Sequence, residues 1–164
     1  MSRPVDGRRL AGAIAGGLVA GVGISAMLMR SERRSSEPSE IANIKRAGLA
    51  KLGREVPSQE QLPDTREQVV IQGGHLLLSA AAGAAYALTT ECYAALLPGG
   101  IAFGLAFYGA MHWIVGPTLG LKSPEWRSDR TTLVMHTVNH VGFGLVTAAG
   151  AALAGHGSKL RDPT

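Results

Sequence analysis

The sequence predicts an all-α integral membrane protein: a bundle of four transmembrane helices, with a short amphipathic helix in the first loop. Three observations carry that prediction. The 164 residues leave room for a single membrane domain, 1–164. Charge comes in blocks: no Asp, Glu, Lys or Arg lies between Arg9 and Arg30, Glu67 and Glu91, Glu91 and Lys122, or Arg130 and Lys159, gaps of 20, 23, 30 and 28 residues. Each gap matches or exceeds the roughly 20 apolar residues that cross a ~30 Å hydrocarbon core as a helix. A soluble bundle of this size would carry a charged face on every helix. Mean hydropathy is only +0.14, because the charged segment 30–68 dilutes the apolar runs.

The first span covers 10–29. Arg3, Arg8 and Arg9 precede it, as at the start of a signal peptide. Its apolar stretch is longer than a typical h-region and ends in RSERR instead of a small-residue cleavage site, which favours a retained span. Gly12 with Gly16, and Gly17 with Gly21, make two GxxxG spacings that suit close helix packing. The polar connector 30–68 opens with a turn around Pro38. Ile41, Ile44, Leu49, Leu52 and Val56 then recur at helical spacing, with Lys45, Arg46, Lys51 and Arg54 on the remainder. That pattern suits either a helix lying on an anionic membrane surface or a partly ordered connector. Spans two and three cover 69–90 and 99–118, and their short connection predicts antiparallel neighbours. Pro117 would release the Trp113 carbonyl and kink or stop span three. Ser123, Pro124 and Glu125 resemble a helix start, and span four covers 131–155.

Alternating topology puts the connector 30–68 and the loop 119–130 on one side of the membrane. At 1.5 Å per residue, His75 and His112 then lie ~9 Å inside their helices, and His136 and His140 ~8 and ~14 Å inside theirs. Four imidazoles from three helices therefore share one layer, with Asn139 beside them on span four. His156 falls at the opposite surface. Intramembrane polar groups usually face the bundle interior and pair with one another, which leaves three readings. The histidines hydrogen-bond the helices together; or they form a proton-responsive cluster; or two or more of them hold a metal or haem. Zinc would need an all-histidine shell, because no carboxylate or thiolate lies at that depth.

The segment HWIVGPTLGL, His112 to Leu121, is similar to the His-x4-Pro-x2-Gly-Leu stretch of YagU-like inner-membrane proteins, a domain family of unknown function. The order of features over residues 10–155 also resembles that family, including a His-bearing span that ends near an acid (here Glu91) and a last span bearing His140. His136 and the long connector depart from the family pattern. The resemblance implies a bacterial inner-membrane location and supplies no reaction.

Lys and Arg interleave with acids outside the spans, so no continuous basic face tracks nucleic acid. The single cysteine, Cys92, leaves no internal disulfide and no Cys-rich metal motif. No Ser-His-Asp order, paired carboxylates or HExxH helix supports an enzyme. Of the 16 Lys and Arg, eleven fall on the connector side, so the positive-inside rule puts that side in the cytoplasm; Arg8 and Arg9 argue the other way. The reading is a multi-pass protein of the bilayer whose His-lined site is pH-linked or transport-accessory. Its alternative is a structural or partner-binding protein, homo-oligomeric or bound to another membrane protein through its glycine faces.

Overall fold

Helix α1, Gly7–Ser35, is where the bundle is organised, because glycines open two of its faces. The computed structural model describes residues 6–90 and 95–156; Glu91 and Cys92 lie outside them. The remaining helices are α2, Glu40–Lys51; α3, Thr65–Thr89; α4, Leu96–Thr118; and α5, Arg130–His156. Four of the five, all but α2, are long and apolar enough to cross a membrane, giving an all-α multi-pass architecture.

α1 packs between α3 and α5, and α4 packs on the far side of α5. A methyl group added at Gly16 would sit 2.6 Å from the Val146 carbonyl of α5, and one at Gly17 would sit 2.6 Å from the Ser79 carbonyl of α3. Gly12 meets Gly150 on the α5 side, and Gly21 meets Ser79 on the α3 side. A second seam joins Gly100 and Gly104 of α4 to Gly144 and the His140–Val141 backbone of α5. These approaches confine the expected antiparallel pairing of spans two and three to the end nearest their connection. Small residues let backbones meet, and that close packing outweighs a short connection. α3 and α4 touch where Tyr86 and Phe103 pack edge to face, 5.2 Å between centroids. Arg9 ties the start of α1 to the end of α3 there, donating to the Ala87 carbonyl and to Thr90 Oγ1, each at 2.6 Å.

The other end is built differently. α1 continues past its apolar run until Ser36 adopts a left-handed conformation (φ 59°) and its N–H bonds the Glu32 carbonyl. Ser39 then caps α2, and the buried Glu32 accepts from Ser39 N and Gln68 Nε2. α2 stops at Lys51, short of Val56, where Gly53 turns the chain at φ +72°. Lys45 and Arg46 of its basic face turn inward, while Lys51 and Arg54 stay exposed. Arg46, 2 % exposed, makes a two-pronged ion pair with Glu67 of α3 at 2.8 and 3.0 Å and donates to the Ser58 carbonyl at 2.7 Å; Lys45 adds a contact to Glu67 at 3.1 Å. The expectation of Lys45 and Arg46 lying on lipid headgroups is therefore corrected: a partner carboxylate satisfies a guanidinium in a fixed two-pronged geometry.

Pro117 acts through winding instead of a break. With no N–H to offer the Trp113 carbonyl, α4 loosens to a π-helix over Gly109–Val115 and resumes α geometry at Gly116–Thr118. Gly120, at φ +62°, starts the loop. Glu125–Arg127 forms one 3-10 turn and not the start of span four. That helix begins at Arg130, after Asp129, whose carboxylate accepts from Thr131 N, Thr132 N and Thr132 Oγ1 at 2.8, 3.0 and 2.6 Å.

Candidate functional site

The π-wound turn of α4 carries His112, and the first turns of α5 carry His136 and His140. Their rings form one cluster, with centroids 4.5 Å apart for His112 and His136 and 4.9 Å for His112 and His140. Tyr108 packs on the same rings, 5.2 Å from both His112 and His140. His75 makes no ring contact or hydrogen bond with them. α1 stands between α3 and α5, and His75 Nδ1 bonds Ser25 Oγ on α1 at 2.9 Å. Three of the four expected imidazoles touch one another. Asn139 is turned away from it and lines an outer groove of α5. The glycines Gly12, Gly16, Gly17 and Gly21 sit inside the chain's own seams.

Charge reaches the cluster from outside the spans. Glu125 of the loop has no exposed surface. It accepts from Tyr108 Oη at 2.9 Å, His136 Nδ1 at 2.6 Å and Lys122 Nζ at 2.6 Å. Glu40, in the first turn of α2, faces His136 Nε2 at 3.1 Å and pairs with Lys122. Lys122 donates to His112 Nδ1 at 2.8 Å, so its three ammonium protons go to two carboxylates and one imidazole. Both nitrogens of His136 face carboxylate oxygens and can bond them only as donors, which calls for the imidazolium. His112 must be neutral to accept from Lys122. His140 Nδ1 donates to the His136 carbonyl at 2.8 Å. Two carboxylates, one ammonium and one imidazolium thus balance.

Burial alone would raise the Glu125 carboxyl. The hydrogen bonds from Lys122, His136 and Tyr108 outweigh it and hold the pKa at about 2. Burial also opposes ionisation of Glu40, and bonds from His136 and Lys122 overcome it, again to about 2. A carboxylate as deeply buried as Glu125 stays ionised only with its partners in place.

Glu40, His112 and His136 each offer a ligand atom, all within 4.8 Å of one another, and Glu125 stands behind His136 as metal-bound imidazoles require. The group could in principle coordinate a metal ion, and its Glu40 corrects the expectation of an all-histidine shell. The Lys122 ammonium, however, is bonded to two of these ligands, His112 Nδ1 and Glu40. Haem does not fit: rings 4.5 and 4.9 Å apart rest on one another and leave no slot for a macrocycle between them. Sequence reasoning missed Glu40, Lys122 and Glu125. Their signal was position: all three lie on the side of the membrane nearest the histidine layer, within reach of it by a long side chain or a folded-back loop.

No protein-family model matches the chain, and neither a curated protein nor a solved structure does.

Proposed function

We propose that the chain is a YagU-like multi-pass protein of the bacterial inner membrane whose polar cluster is a proton-linked latch, accessory to transport. The observation that carries this reading is the fully buried Glu125, bonded at once from α4, α5 and its own loop, beside a second carboxylate, Glu40, brought in by α2. Closing the latch seats α2 over the histidine end of the bundle. One added proton unbalances it: on His112 it removes the acceptor of Lys122, and on Glu40 or Glu125 it removes the acceptor of Lys122 and His136. The groups facing one another are Tyr108 and His112 of α4, Lys122 and Glu125 of the loop, His136 and His140 of α5, and Glu40 of α2. Eleven Lys and Arg on the latch side support placing it in the cytoplasm.

The test places a fluorophore pair at the exposed Ala50 and Arg127 in nanodiscs and follows their separation as pH falls. The latch reading expects separation to grow on acidification and, in Glu125→Gln, to be large already at neutral pH. A separation independent of pH in both proteins would rule it out. A metal-bound form is the competing reading, favoured by the 4.8 Å spacing of the three ligand atoms. It requires Lys122 to leave. Lys122→Met should therefore bind Co²⁺ with visible ligand-field bands; a wild-type protein that binds it equally well would favour the metal reading over the latch.

A further inference from the structure

We propose that two copies of this chain associate through the outer face of α5, with Asn139 of each copy bonded to the partner's Asn139. A shallow groove of about 580 Å³ runs along that face, lined by Arg130, Thr131, Val134, Met135, Val138 and Asn139. Val134, Met135 and Val138 are exposed, as lipid-facing side chains are. Asn139 breaks the pattern. It lies nine residues, about 13 Å, along the helix from Arg130, and among the described residues its carboxamide has no hydrogen-bond partner.

Acyl chains offer such a group nothing, and an unpaired amide in hydrocarbon is costly. A second copy inserted in the same orientation brings residue 139 to the same depth, and two carboxamides are mutually complementary as donor and acceptor. One further feature fits a two-fold contact. One turn deeper, a methyl group added at Gly142 would meet nothing within 4 Å, so the helix surface is open to close approach. The GxxxG faces of α1 are not free for this role, since α3 and α5 fill them. The proposal does not depend on the latch, which lies on the inner side of α5.

The test is the association state of the full chain across protein-to-detergent ratios, by analytical ultracentrifugation. The expected result is a dimer that Asn139→Leu weakens about three- to tenfold and Gly142→Ile weakens further, with helical content unchanged by circular dichroism. Val22→Leu, on the exposed face of α1, should leave it intact. In a Cys92→Ser background, Asn139→Cys should form a disulfide between copies and Val22→Cys should not. A monomer at every ratio, a dimer indifferent to both α5 variants, or a phospholipid found in the groove of a monomer would each overturn the proposal.

Discussion

The two ends of this bundle are held by opposite means. Toward the chain termini, glycines bring helix backbones together: α1 meets α5 at Gly12 and Gly16, and α4 meets α5 at Gly100 and Gly144. Toward the connector, the contacts are ionic, and they come in two groups: Arg46 with Glu67, and Glu40, Lys122 and Glu125 with the histidines. The first kind of contact is short-range, insensitive to pH and fixed by shape. The second is strong only while every member is present and correctly protonated. The difference assigns rigidity to one end and responsiveness to the other.

Glu125→Ala should produce the largest break in that contrast. It leaves Lys122 and His136 to share Glu40 alone, and removing one member of a buried pair costs about 3–5 kcal/mol; thermal unfolding in detergent micelles should show the loss. Acid should act on the same end. Glu40 and Glu125 have folded pKa values of about 2 against an ordinary 4.5. Their contribution is therefore complete above 4.5 and disappears as pH falls through about 2. A pH series of melting temperatures should be flat in this contribution above 4.5 and fall below it, and Glu125→Gln should flatten the fall. Gly100→Val attacks the other end, where an added Cβ would stand 3.0 Å from the Gly144 carbonyl oxygen. Overpacking of that kind costs about 1–3 kcal/mol, and its effect on melting temperature should be the same at pH 7 and pH 4. Smallest is Ser25→Ala, which removes one bond between helices, that to His75, worth about 0.6 kcal/mol. A loss of several kcal/mol there would put His75 back among the essential members of the polar layer.

The spans were legible because uncharged runs of 20 residues or more have one physical explanation, and the glycine faces because their four-residue spacing aligns them on a helix. The histidine layer was partly legible from depth alone: His112, His136 and His140 meet, and His75 does not, since depth carries no information about which helix lies between. The charged half of the site was not legible. Lys122 and Glu125 read as loop charge and Glu40 as part of the turn around Pro38, because hydropathy reports where a residue sits along the chain and not whether its segment folds back. The same blindness hid the inward turn of Arg46, whose partner Glu67 lies 21 positions away. Asn139 shows the converse error, a polar residue assigned to the interior that lines the outer surface.

The account's central claim is that the buried ionic cluster holds α2 on the bundle. Hydrogen–deuterium exchange of the α2 amides, residues 40–51, in wild type and Glu125→Ala tests it most directly. Protection of α2 in the wild type at neutral pH, lost in the variant while α3 and α5 stay protected, is the predicted result. Equal α2 protection in both proteins would contradict it.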